Sequence, residues 1–265
     1  MTPNKLRPGK DPMPPSAPTR LADLFLAVRQ QKTDPLASVH EALTPRTLAD
    51  AYAVQDAVGL HLGPIRGWKV GAETPQSEPF AAPIHAATIF EDGDTVPAYV
   101  CRHLGVEAEI GYRFAHALPP RAADWTADEV MAAIGSIHPM IEIVDTRFEK
   151  PGSQHKLLHT ADHQSHGALI AGPGLADWRG VNPTGEPVSL TINGRTVVEH
   201  VGGNSAGDPL RLLVWLANHA ARRGPGIEAG CLVTTGSTTG TMFVVHDTDV
   251  RASFPSIGTV RAHLA

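Results

Sequence analysis

The chain has 265 residues, is 42% hydrophobic, and carries 22 Lys+Arg against 27 Asp+Glu, a formal net charge of −5. The apolar share supports a full core, which excludes global disorder, and the mildly acidic balance excludes a surface built to coat nucleic acid. Two cysteines, Cys101 and Cys231, can build neither a disulfide framework nor a CxxC pair, so a reducing, cytoplasmic setting is the simple reading.

No run of about 18 apolar residues is present, and the N-terminus lacks an apolar signal core, so neither a membrane span nor a secretory leader is expected. The 25 glycines and 23 prolines favour turns and short strands over a helical bundle.

Residues 1–20 hold six prolines and four basic residues, which predicts a flexible tail. A helix is expected from Leu21 to about Gln31, with Leu21, Leu24 and Val28 on one face. Thr44-Pro45 reads as the cap and first position of a second helix. Its stripe is Leu48, Ala51, Gln55, Val58 and Leu62, and Gly63-Pro64 ends it. From Arg66 the texture changes to short apolar runs cut by Gly, Pro and Asp. Strands are expected at Gly67–Gly71, Val106–Phe114, Met140–Asp145, Gly167–Ala171, Val188–Ile192, Cys231–Thr235, Met242–His246, Asp249–Phe254 and Thr259–His263. Asn193-Gly194 predicts a tight hairpin into Thr196–His200. Helices are expected at Thr126–Ile134 and Pro209–Arg222, the latter with Asp208 as cap and Gly224 as stop. The class is α+β with a large mixed or mainly antiparallel sheet system. A single domain over 21–265 is expected, with a helical part (21–65) and a β-rich core (66–265).

The segment Gly105-Val106-Glu107-Ala108-Glu109-Ile110-Gly111 carries the strongest chemical signal. On a strand, Glu107 and Glu109 share a face about 7 Å apart, while Val106, Ala108 and Ile110 point to a core. Two carboxylates on one face of an apolar segment repel each other and lose hydration, and a divalent cation relieves both costs. A solvated strand face is the plain alternative. Glu142 sits inside the apolar run Met140-Ile141-Glu142-Ile143-Val144, where an unpaired charge is costly; a pair with Arg147 would explain it equally well. Three carboxylates together form an all-oxygen site suited to Mg²⁺ or Mn²⁺ rather than Zn²⁺. Lys69, bracketed by Trp68 and Val70 between Gly67 and Gly71, can enter a cleft and meet an anion, or sit on the surface at a strand end.

Two further patterns are weaker. Gly203-Asn204-Ser205-Ala206-Gly207 matches a nucleophile-elbow pattern, but the next helix begins at Asp208-Pro209, too late for an elbow at Ser205. His155, His159, His163 and His166 have helical spacing, without a paired-cysteine or HExxH context for zinc.

Taken together, several segments resemble the fumarylacetoacetate hydrolase superfamily, in its 2-hydroxypentadienoate (2-keto-4-pentenoate) hydratase and 4-oxalocrotonate decarboxylase branch. They are Ala51–Gln55, Gly67–Gly71, Val106–Ile110, Ile141–Arg147, Ala161–Ser165, Gly207–Pro209 with Trp215–Asn218, Ala229-Gly230 leading to Thr235–Ser237, and Phe254–Gly258. The resemblance runs from about Leu48 to the C-terminus. It implies a mixed β-sandwich roll with a helical N-terminal part, and a homo-oligomer. It implies Glu107, Glu109 and Glu142 as metal ligands for Mg²⁺ or Mn²⁺, Lys69 as the active-site lysine, and Asp162 and Ser165 beside the substrate carboxylate. The expected activity is a hydro-lyase: water adds to a 2-hydroxy-2,4-dienoate to give a 4-hydroxy-2-oxo acid through a metal-stabilised enolate.

Decarboxylation of a 2-oxo-3-enedioate in the same site is the alternative. Hydrolysis of a diketo acid is disfavoured, because the Gly-Lys-Ser-Phe-Asp segment of that branch is absent. His163 replaces the usual Asn, and Glu73–Pro83 does not match the family's substrate loop. That stretch has no Lys or Arg, which leans towards a monoacid. A non-catalytic 2-oxo acid binder would carry the same site and show binding without turnover.

Overall fold

Ser16 and Thr47 set the start of the helical part. The structure, a computed structural model, describes residues 15–265, so the tail expectation for residues 1–14 lies outside the described residues. The Ser16 side chain accepts from the Thr19 amide and opens α1 (Ala17–Arg29), four residues before the expected start at Leu21. The second helix, α2 (Leu48–Gly59), is capped by Thr47 rather than Thr44. Thr47 accepts from the Asp50 amide and the Asp50 carboxylate returns to the Thr47 amide, a reciprocal box that satisfies two otherwise orphaned donors. Thr44 instead closes a short 3₁₀ turn over Glu41–Leu43.

Two further helices follow: α3 (Ala127–Ala133) and α4 (Lys156–Ala161). The last, α5 (Pro209–Arg223), has the expected Asp208 cap and Gly224 stop. Leu21, Phe25, Val54 and Val58 of the first two helices pack with Phe148, Leu158 and Ala161 in one apolar cluster. Gln55, fully buried, ties this part to the β-rich core by donating to the Ala81 and Thr160 carbonyls at 3.2 and 2.6 Å.

In chain order the strands are β1 (Ile65–Gly71), β2 (Phe80–His85), β3 (Ile89–Glu91), β4 (Thr95–Val96), β5 (Leu104–Phe114), β6 (Ile134–Val144), β7 (His166–Ala171), β8 (Pro187–Ile192), β9 (Arg195–Val201), β10 (Leu232–Ser237), β11 (Met242–Val244), β12 (Thr248–Phe254) and β13 (Gly258–Leu264). All nine strands expected from the sequence form, each shifted by a few residues at most at its ends except β6, which begins six residues earlier. A mixed sheet runs β2-β1-β10-β5-β6-β7-β3, with β11 also on β5, and a second sheet runs β4-β13-β12-β8-β9. The β8–β9 hairpin turns on Asn193 and Gly194, both at positive φ (48° and 77°), as a tight turn matching strand twist requires.

Apolar side chains from both sheets share one core. Val106, Ala108 and Ile110 of β5 join Leu190, Val250, Ala252, Phe254 and Val260 of the second sheet. The α+β reading of stacked sheets with a helical N-terminal part therefore holds. Period 2 then fixes the rest: with even-numbered β5 positions in the core, Glu107 and Glu109 must face the other way.

Candidate metal centre

Register brings the three glutamates together. In the antiparallel β5–β6 pair, Glu107 lies directly opposite Glu142, and Glu109 stands one same-face position along. One oxygen from each of the three carboxylates falls within 4.8 Å of the others. They line a cavity of about 620 Å³ together with Lys69, Phe80, Val144, Gln164, Ser165, Asn204, Ser205, Ser237 and Phe243. Among the described residues, this is the one such cluster of His, Cys, Asp or Glu.

Each carboxylate is held by one of its oxygens. Glu107 Oε1 accepts from the Thr241 hydroxyl. Glu109 Oε2 accepts from the Thr234 hydroxyl and from the Gly236 amide at 2.9 Å. Glu142 Oε1 accepts from Lys69 Nζ at 2.6 Å and lies 3.0 Å from His166 Nδ1. Each of these donors contacts one oxygen of its acid, and each acid has a second oxygen that can meet an ion.

The electrostatics fit a cation. Burial, then the Glu142 and Glu107 charges, push the Glu109 carboxyl well above its ordinary range. Burial and the Glu142 charge raise Glu107 as well. Burial opposes the charged form of Glu142, but Lys69 and His166 outweigh it and hold that group at about 2. Burial likewise opposes the Lys69 ammonium, and the three carboxylates prevail to raise it. One ammonium against three carboxylates leaves a charge of −2 when all are ionised, which a divalent ion cancels. The all-oxygen donor set and its charge therefore fit a hard divalent ion.

Lys69 reaches the site from β1, next to β10 in the sheet. Its Nζ also donates to the Gln164 carbonyl at 3.0 Å. That carbonyl is presented by a turn in which His163, Gln164 and Ser165 all have positive φ (50°, 53° and 57°). Three consecutive non-glycine residues in this region store about 1–3 kcal/mol each, and nothing in their identities announces it.

Asp162 and Ser165 part company. Ser165 lines the cavity. Asp162 is fully buried outside the cavity lining, accepting from Thr146 Oγ1, the Arg147 amide and Arg147 Nε at 2.9, 2.9 and 2.6 Å. It sits at the start of the 163–165 turn, and its carbonyl accepts from the Ser165 amide at 3.0 Å. Arg147 is engaged there and with Asp145, so the pairing of Glu142 with Arg147 does not occur; Lys69 takes that role.

Ser205 donates to the Ala72 carbonyl at 2.8 Å, with α5 starting four residues later. The four histidines form no shared site, although His166 meets Glu142. Sequence reasoning missed Thr234, Gly236 and Thr241, the donors that aim the carboxylates. It also missed Lys156, which reaches the cavity from α4 and pairs with Glu73 at 2.7 Å. The Glu73–Pro83 stretch is pinned by α5: Arg211 Nη2 donates to the Thr74 carbonyl at 2.9 Å and Trp215 Nε1 to Glu78 at 2.6 Å.

No family model matches the chain. A 2-keto-4-pentenoate hydratase of Paraburkholderia xenovorans is 28% identical over 252 residues, covering 90% of this chain and 91% of the relative. The structure of 4-oxalocrotonate decarboxylase from Pseudomonas putida G7, complexed with magnesium and adipate, superposes with a TM-score of 0.79 at 25% identity, covering 94% of this chain and 97% of that one. Fumarylacetoacetate hydrolase from Exiguobacterium antarcticum shares the fold at a TM-score of 0.58 and 13% identity, over 77% of this chain and 76% of that one. The chain is thus a relative of hydratases and decarboxylases of these names, and it has the fumarylacetoacetate hydrolase fold. No helix among the described residues is long and apolar enough to cross a membrane.

Proposed function

We propose that this protein is a divalent-metal-dependent lyase that hydrates a 2-hydroxy-2,4-dienoate to a 4-hydroxy-2-oxo acid. The observation that carries the reading is the meeting of Glu107, Glu109 and Glu142 within 4.8 Å beside the Lys69 ammonium. These three carboxylates would hold Mg²⁺ or Mn²⁺, both of which accept oxygen donors. The bound ion would supply Lewis-acid polarisation of the substrate's oxygens and offset the negative charge that develops on them.

The chain's own groups do the rest. Lys69 Nζ, held between Glu142 and the Gln164 carbonyl, donates to the substrate carboxylate or C2 oxygen and can return a proton there. Ser165 offers a hydroxyl at the cavity wall, where the Ser205 and Asn204 side chains are held by the Ala72, Thr235 and Ala206 backbone. Phe80, Val144 and Phe243 give the carbon chain an apolar wall. Asp162, locked to Arg147, supports the turn that carries Gln164 and Ser165.

Decarboxylation of a 2-oxo-3-enedioate is the second reading, favoured by Lys156 at the cavity, a cation that a distal carboxylate could use. The proposal includes a single catalytic domain over 21–265, in a cytoplasmic homo-oligomer. The test is turnover of a panel of dienoates and 2-oxo-enedioates with Mg²⁺ or Mn²⁺, followed by loss of conjugated ultraviolet absorbance and by CO₂ release. Hydration without CO₂ supports the first reading; CO₂ release supports the second; tight ligand binding without turnover contradicts both.

A further inference from the structure

His166 stands behind Glu142, outside the residues that line the metal cavity. It opens β7 and is 3% exposed. Its Nδ1 lies 3.0 Å from Glu142 Oε1, the oxygen that also accepts from Lys69. Its Nε2 lies 3.0 Å from Thr88 Oγ1, and Thr88 lines a separate cavity of about 490 Å³. A neutral imidazole has one N–H, and donation to a carboxylate is the stronger of the two bonds open to it. Nδ1 therefore carries the hydrogen, while the single hydrogen of Thr88 Oγ1 is shared between Nε2 and the His85 carbonyl, 3.1 Å away.

We infer that His166 is a positioning residue for the metal: it holds Glu142 Oε1 from behind the cavity and leaves the other oxygen for the ion. The inference rests on the metal reading proposed above. Lys69 alone would not do this work. It belongs to the cavity, donates also to the Gln164 carbonyl, and must be free to meet substrate. Thr241 and the Thr234–Gly236 pair fix one oxygen of Glu107 and Glu109 in the same way, and His166 gives Glu142 a holder independent of the substrate-facing lysine. Such outer partners of a metal ligand are commonly worth about 10- to 100-fold in metal affinity.

The test is calorimetric titration of Mn²⁺ into the apo-protein, with melting in EDTA as a check on folding. His166→Ala should weaken binding by about 10- to 100-fold. His166→Asn, whose amide can donate from nearly the Nδ1 position, should recover much of that loss. A general packing role would lower the melting temperature in EDTA for both variants without this pattern of loss and rescue, and that result overturns the inference. Wild-type affinity in His166→Ala overturns it as well. Wild-type protein that takes up no divalent ion overturns the metal reading itself, and the inference with it.

Discussion

Glu107 and Glu142 are direct cross-strand partners in the β5–β6 pair. Like charges directly opposite each other destabilise a sheet, and Glu109 adds a third acid on the same face. The arrangement costs the ion-free fold stability. Glu109→Gln removes one of the three charges, and the new amide can still accept from Thr234. In EDTA its melting temperature should rise by a few degrees, about 1 kcal/mol for a chain of this size. Saturating Mg²⁺ should raise the wild-type melting temperature by roughly 5–10 °C, the worth of ion at 100 times its dissociation constant, and should leave Glu109→Gln nearly unmoved. A variant that melts lower in EDTA and still responds fully to Mg²⁺ contradicts this.

Lys69 supplies the site's ammonium. Lys69→Met should keep metal uptake measurable by calorimetry while kcat falls by about 10²- to 10⁴-fold, the range for a positioned proton donor. Retention of wild-type kcat would remove Lys69 from the chemistry.

Arg147 is 2% exposed and pairs with both Asp162 and Asp145. Arg147→Met leaves two buried carboxylates without their cation. Urea unfolding should show a loss of about 3–5 kcal/mol. A loss below 1 kcal/mol would mean that water reaches these acids.

Arg211 holds the Thr74 and Ala206 carbonyls at 2.9 and 3.2 Å and so fixes the cavity wall between Glu73 and Phe80. Arg211→Met should raise KM by roughly threefold to tenfold, with metal affinity unchanged, because the wall must be ordered at each binding event. An unchanged KM would place this segment outside substrate recognition.

The parts of the site that follow from local periodicity were legible in the sequence. Glu107 and Glu109 share a face because strands have period 2, and Glu142 declared itself by interrupting an apolar run. Their meeting was not legible. It depends on register across a connection that carries α3, which no local pattern fixes. Strand β2 went unnoticed because Pro83 interrupts it; the strand lies at the sheet's edge, where a missing N–H is tolerated. Thr44 resembles a cap because Pro45 follows it, whereas Thr47-x-x-Asp50 is the signal that the helix uses. The left-handed turn at His163–Ser165 contains no glycine, so only its surroundings hold it in place.

The most direct test of the account is a crystal of this protein soaked in Mn²⁺ and measured at an anomalous edge. The account predicts one strong peak with an oxygen of each of Glu107, Glu109 and Glu142 at roughly 2.0–2.4 Å, a span typical of hard cations and oxygen donors. A site that stays empty, or an ion bound elsewhere with these three carboxylates pointing apart, would contradict it.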